Sequence, residues 1–142
     1  SAKGLNFHDM RGDLERAYSF REMRADGIAM AHRLVAAGIG REDRVALVAE
    51  TSAEFAALFC GCIYAGAWPV PLPLPTTFGG KDSYIDQLAV QLESSDPKIL
   101  IYPAEIAEMG KAAALMAREL GWTAERTRSE VADVERFYQL PV

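Results

Sequence analysis

Thiol or imidazole chemistry in this chain would have to draw on His8, His32, Cys60 and Cys62, the only histidines and cysteines present. The cysteines are two apart in a stretch that reads as helix, so their side chains project roughly 200° from each other and can neither be bridged nor share a metal within it. They read as buried thiols. The histidines fall on different predicted elements with no acid or cysteine cluster beside them, which leaves no ligand set and makes them surface or boundary residues. Phosphate binding would call for a glycine-rich turn between strand and helix, whose amides cradle the anion. The corresponding turn is Glu50-Thr51-Ser52-Ala53-Glu54, with no glycine and two acids, a poor phosphate site. Without paired carboxylates in a cleft, a Ser-His or Cys-His couple or a phosphate loop, no catalytic, cofactor-binding or metal-binding residue is nominated.

The elements that would carry any site centre on Asp43 to Pro75. Arg44 to Ala49 is a short strand, apolar on both faces and therefore central. A helix follows from Ser52 to Ala65, with Thr51 or Ser52 as cap and Glu54 near the positive end of the dipole. A second apolar strand runs from Trp68 to Leu72. Two such strands joined by a helix predict a parallel sheet covered on both sides. The helix is apolar nearly all round, which predicts burial between two layers. Gly61 within it predicts a close packing contact, and Gly66 a left-handed end. Pro69, Pro71, Pro73 and Pro75 lack the ladder donor, so this strand lies at an edge or leaves the sheet.

Before this unit, Gly4 to Tyr18 reads as a hairpin turning at Arg11-Gly12-Asp13. Ser19-Phe20-Arg21-Glu22 is a capping box that opens a helix to about Ala37. Its stripe of Met23, Gly27, Met30, Ala31 and Leu34, with Arg21, Arg24, Asp26 and Arg33 opposite, suits a helix lying on the sheet. Gly38 ends it, and Gly38 to Asp43 is a turn. After the unit come a polar loop (Thr76 to Lys81), a helix from about Ser83 to Ser94 stopped by Asp96-Pro97, and a third parallel strand (Lys98 to Tyr102). A helix from Ala104 to Leu120, with Ile106, Met109, Ala113, Met116, Ala117 and Leu120 as its stripe, ends at Gly121. The tail from Trp122 is charged, with Val131, Val134 and Phe137 a candidate short helix. The fold class is α/β: a parallel-sheet βαβαβ core, doubly wound and flavodoxin-like, preceded by a β-hairpin.

The 142 residues are half apolar, enough for a real core, and carry a net charge of -5. Basic residues are scattered among acids, which argues against nucleic acid as a partner. No apolar run reaches the roughly 18 to 20 residues of a membrane span. Free thiols and the lack of an export signal point to a cytoplasmic setting. Ser1-Ala2 reads as a cleavage scar.

Several runs resemble the N-terminal part of the adenylate-forming (AMP-binding) superfamily, which includes acyl-CoA synthetases, fatty-acyl-AMP ligases and the adenylation domains of peptide synthetases. Tyr18-Ser19-Phe20-Arg21-Glu22-Met23 resembles the family's Thr-Tyr-x-Glu-Leu helix opening. Gly38-Ile39-Gly40-Arg41-Glu42-Asp43-Arg44-Val45-Ala46-Leu47 is similar to its Gly-Val-x-x-Gly-Asp-Arg-Val-Ala-Leu, with Arg41-Glu42 in place of Pro-Gly. Phe59 to Ala67 and Pro69-Val70-Pro71-Leu72 resemble the helix and strand that follow. The likeness covers roughly Leu5 to Tyr102. Glu50-Thr51-Ser52 followed by the alternating prolines looks most like the fatty-acyl-AMP ligase branch and its acyl-CoA synthetase relatives, whose distinguishing insertion would lie beyond Val142.

The resemblance implies an N-terminal subdomain piece of a ligase, with 4–19 as hairpin, 20–121 as α/β core and 122–142 as tail. The parent would convert a fatty acid and ATP, with Mg²⁺, to acyl-AMP, then transfer the acyl group to a carrier-protein thiol or CoA. The family's phosphate loop, adenine site and catalytic lysine are not found in this sequence, so the piece itself is expected to lack activity and to hold no cofactor. It would supply scaffold and one wall of the acyl site. Its natural partner would be the rest of the ligase, and alone it is expected to pair as a homodimer through uncovered surface. The alternative is a free-standing binding or regulatory module that uses the strand-end loops Glu50 to Ala53, Thr76 to Lys81 and Tyr102 to Ala104.

Overall fold

The computed structural model describes residues 3–76 and 78–119. Along them run β1 (Gly4–His8), β2 (Leu14–Ser19), α1 (Phe20–Ala36), β3 (Arg44–Val48), α2 (Ala53–Tyr64), β4 (Trp68–Leu72), α3 (Lys81–Ser95), β5 (Ile99–Ile101), a 3-10 turn (Ala104–Ile106) and α4 (Ala107–Glu119). The chain divides into two units, Ser1–Glu42 with Glu50–Ala67, and Asp43–Ala49 with Trp68–Val142.

In the first unit β1 and β2 pair antiparallel from Gly4 opposite Ser19 to Phe7 opposite Arg16, with a register shift before His8. The turn is closed by Asp9, whose Oδ1 accepts from the amides of Arg11 at 2.8 Å and Asp13 at 2.9 Å, while Gly12 takes the left-handed φ of +87°. The sequence placed this turn correctly but did not single out Asp9. Tyr18 is buried, and its hydroxyl donates to Asp26 of α1 at 2.8 Å, joining hairpin to helix. Burial, the hydrogen bond and the negative charge of Asp26 together push this phenol well above its usual range.

Helix α1 opens with the expected capping box, the Ser19 hydroxyl accepting from the Glu22 amide at 3.2 Å and the Glu22 carboxylate accepting from the Ser19 amide at 2.8 Å. It closes at Ala37 and Gly38, the latter at φ +89°. Gly27, Ala31 and Leu34 of the stripe are buried, with Met23 and Met30 half-buried. In this unit the stripe faces α2, at close range: a Cβ on Gly61 would meet Met30, and one on Gly27 would meet Cys60 and Tyr64. Gly61 therefore plays the packing role its sequence context predicts.

Helix α2 is capped by Ser52, which accepts from the Phe55 amide at 3.1 Å, and is ended by Gly66 at φ +77°. It is not buried all round. Ala53, Ala57, Leu58, Gly61 and Cys62 are buried, whereas Ile63 and Tyr64 are 55% and 53% exposed. Small residues at Ala53, Ala57 and Gly61 let backbones approach closely, and the bulkier side chains of the last turn are left at the surface.

The second unit is a parallel three-stranded sheet of order β4-β3-β5. Val45 to Val48 are buried, as expected of a central strand with no polar face. The proline-bearing β4 is an outer strand of this sheet, where the missing donors of Pro69 and Pro71 leave no central ladder broken. Helix α3 begins at Lys81, two residues ahead of the expected Ser83, and buries Tyr84, Ile85, Leu88, Ala89 and Leu92. It ends as Asp96 takes a left-handed φ of 45° before Pro97. The helix expected from Ala104 starts as a 3-10 turn and becomes α-helical at Ala107, burying Ala113, Ala114 and Ala117. Gly110 lets α4 rest on the Tyr102 ring, since a Cβ there would stand 2.8 Å from Tyr102 Cε1. Leu120, Gly121 and the candidate helix at Val131 to Phe137 lie outside the described residues. The architecture is thus the α/β one expected, a three-strand parallel sheet with helices preceded in sequence by an antiparallel hairpin.

Candidate functional site

Parallel strands put all their carboxyl ends on one edge of a sheet, and ligands of open α/β sheets bind outside that edge. Val48 stands opposite Leu72 and Leu47 opposite Ile101, so β3, β4 and β5 finish together. Of the strand-end segments, Thr76 and Phe78 to Lys81, with Tyr102 to Ala104, accordingly share that edge of the second unit. The third, Glu50 to Ala53, follows β3 in the chain and belongs to the first unit.

The segment after β4 is held by its own chemistry. Tyr84 of α3 donates its hydroxyl to the Pro73 carbonyl at 3.0 Å, and burial raises its pKa to about 12, so it remains a donor at physiological pH. The Gly79 amide donates to the Thr76 carbonyl at 3.2 Å, and Gly80 caps α3 without a side-chain hydrogen bond. Phe78 is fully exposed at the tip of this turn. After β5, Tyr102 is buried and Pro103 leads into the 3-10 turn.

The opposite edge is a structural clasp. The Lys98 amide donates to the Arg44 carbonyl at 2.8 Å, Arg44 donates to the Asp96 carbonyl and carboxylate at 3.2 Å each, and Lys98 pairs with Asp43 at 2.8 Å. These ion pairs are partly exposed, so they fix the entry geometry of β3 and β5 more than they add stability.

The start of α2 does not suit a phosphate. At the start of α2 the Phe55 amide is occupied by Ser52 Oγ, and Glu54 places a carboxylate in the same first turn, where it would repel phosphate. Among the described residues no group of three His, Cys, Asp or Glu is gathered as a metal site. Cys62 is fully buried and its thiol is pushed up to about 12, an inert packing residue, while Cys60 is half-buried and also free. His8 Nδ1 lies 3.1 Å from the Gly12 carbonyl in the hairpin turn.

His32, read from sequence as a surface residue, stands on the wall of a concave feature in the first unit. This groove of about 340 Å³ is lined by Arg24, Ile28, Ala31, His32, Val35, Tyr64 and Ala65. Its signal in the sequence was the four-residue spacing of Arg24, Ile28 and His32 along one face of α1, hidden because each of those residues alone reads as solvated helix surface.

A second departure sits at the turn into β3. Glu42 has a φ of +66°, in the left-handed region that favours glycine, and its amide donates to the Gly66 carbonyl at 2.8 Å.

Comparison with known proteins places this geometry. A family model described as AMP-binding enzyme matches residues 6–139. A protein of Caulobacter vibrioides (strain NA1000 / CB15N) carrying the name acyl-CoA synthetase is 39% identical over 116 residues, covering 79% of this chain and 20% of its own length. A structure from work on fatty acyl-adenylate ligases from E. coli and L. pneumophila is 38% identical with a TM-score of 0.75, covering 81% of this chain and 21% of that one. A fatty acid AMP ligase from Legionella pneumophila is 26% identical with a TM-score of 0.62, over 75% and 18% of the two chains. ATP-bound MatB from Rhodopseudomonas palustris is 28% identical with a TM-score of 0.58, over 86% and 22%. The chain therefore spans about a fifth of the length of the relatives it matches.

Proposed function

Because this chain belongs to the AMP-binding enzyme family, we propose that it is the N-terminal portion of a ligase that activates a fatty acid with ATP to an acyl-adenylate and passes the acyl group to a thiol of a carrier protein or CoA. The observation that carries this reading is the backbone likeness to a fatty acyl-adenylate ligase at 38% identity over 81% of the chain. The sequence likeness to the Caulobacter protein supports the same class.

Within that enzyme this portion serves as scaffold. The edge-strand prolines carry the chain out of the sheet after β4, Tyr84 fixes that exit through Pro73, and the strand-end segments Thr76 to Lys81 and Tyr102 to Ala104 offer one wall of the acyl site. ATP and Mg²⁺ are held by parts of the ligase outside these residues, since the cap at Ser52 and the carboxylate of Glu54 suit no phosphate.

The test is pyrophosphate release from ATP and a long-chain fatty acid by the 142-residue chain alone. Release indistinguishable from a heat-killed control is expected. Release above it would place the nucleotide chemistry within these residues and overturn the scaffold role.

A further inference from the structure

We propose that the groove between α1 and α2 is a docking surface for an acidic amphipathic helix of a partner protein. Its floor is apolar, made by Ile28, Ala31, Val35 and Ala65, with the ring of Tyr64 as one wall. Tyr64 is positioned by the close approach of the two helices, its Cε2 lying where a Cβ on Gly27 would come within 3.0 Å. Val35 and Tyr64 are large, apolar-bodied and more than half exposed, a surface that water covers poorly.

The charge of the rim is one-sided. Arg24 and His32 line the groove, among the described residues no acid does, and Arg21 falls on the same helical face one turn before Arg24. The acids of α1, Glu22 and Asp26, are taken up by the Ser19 cap and by the Tyr18 hydroxyl. A chain of net charge -5, its histidines counted as neutral, thus carries a concave strip that is apolar within, with the Arg24 cation at one end and the His32 imidazole, a hydrogen-bond donor, at the other. Neither Arg24 nor His32 enters an ion pair among the described residues.

Length and shape choose the occupant. Arg24 and His32 are eight residues apart on one helix, about 12 Å along its axis. A single carboxylate, such as a fatty acid carries, can engage only one end of that strip, and an open groove would leave its chain half in water. A helix bearing acids about two turns apart, with apolar side chains between them, meets both ends and fills the floor, the helix-in-groove mode of recognition. This inference does not depend on the ligase reading, because it concerns a surface made within the first unit alone.

The probe is a fluorescein-labelled amphipathic peptide of about 18 residues, five helical turns, with leucines on one face flanked by glutamates. Its twin has lysine at every glutamate position. Fluorescence anisotropy with the 142-residue chain should show binding of the glutamate peptide and little of the lysine peptide, with affinity falling as salt rises. The double substitution Arg24→Glu with His32→Glu should weaken the glutamate peptide by at least about tenfold and admit the lysine peptide. Both positions are exposed, and circular dichroism melts check that the variant folds as the parent does. Absence of binding, equal binding of both peptides, or a variant that binds like the parent would overturn the proposal. So would co-sedimentation of the chain with phosphatidylglycerol vesicles, abolished by the same double substitution, in the absence of peptide binding, since the strip would then be a membrane surface.

Discussion

The backbone of Gly61 in α2 lies against Met30 of α1 so closely that a Cβ on Gly61 would stand 2.7 Å from Met30 Cβ and 3.1 Å from the Ala31 amide nitrogen. Neither atom is the free end of a flexible side chain, so neither can swing aside. Gly61→Ala gains about 1 kcal/mol of helix propensity, yet the contact is expected to outweigh that gain. Gly61→Leu is expected to destabilise by about 1 to 3 kcal/mol through overpacking. Urea melts of both variants check this, and a neutral Gly61→Leu would mean that the helices do not meet at this residue.

Glu42 supplies a test of opposite sign. Its φ of +66° strains any residue with a Cβ, and glycine relieves the strain while adding entropy to the unfolded chain. Relief of the strain outweighs that entropy, so Glu42→Gly should stabilise by about 0.5 to 1 kcal/mol, and Glu42→Ala should not. Thermal denaturation of the two variants, read side by side, separates the backbone effect from loss of the carboxylate.

The start of α1 should show a defined pH dependence. Hydrogen bonds from the Ser19 side chain and amide hold the Glu22 carboxyl below its ordinary 4.5. A depressed carboxyl pKa gives stability that is present above the unfolded value and lost as pH falls through the folded one. Ser19→Ala should therefore cost about 1 kcal/mol at neutral pH through the lost cap. That difference from wild type should narrow as pH drops below 4.5 and Glu22 takes up its proton. Melts at neutral pH and at about pH 3 would reveal a parallel offset if the capping box were absent.

Much of the fold was legible because its signals were local. Ser19 and Glu22 announce a capping box three residues apart, Gly66 and Gly38 supply left-handed ends, and the alternate prolines of β4 can sit only where ladder donors are dispensable. Less legible were features set by partners distant in sequence. The position of Tyr64 depends on how near α1 comes to α2, where its ring lies against Gly27, whereas Asp9 was missed because Arg11 to Asp13 already read as a turn without it. Glu42 could be read only as a replaced glycine. Its positive φ follows from the turn that brings its amide to Gly66, which no local pattern encodes. The strand-end loops were located from the parallel sheet alone. The groove at Arg24 and His32 was not, because it exists only where two helices meet.

The thiols give a chemical check on burial. Cys62 is fully buried with its pKa pushed up to about 12, whereas Cys60 is half-buried. Alkylation of the folded chain at about pH 8 should label Cys60 and spare Cys62, and unfolding in urea should expose both. Equal labelling of the two in the folded state would contradict the packing of α2.

The central claim is that these residues open a fatty-acid-activating ligase. Its most direct measurement is ATP–pyrophosphate exchange by the full-length protein whose reading frame contains this chain, assayed with fatty acids of several chain lengths, acetate and amino acids in parallel. The account predicts exchange that depends on a fatty acid and is carried by the full-length protein but not by the 142-residue chain. Exchange driven by an amino acid or by acetate in place of the fatty acid, or none with any carboxylate, would contradict it.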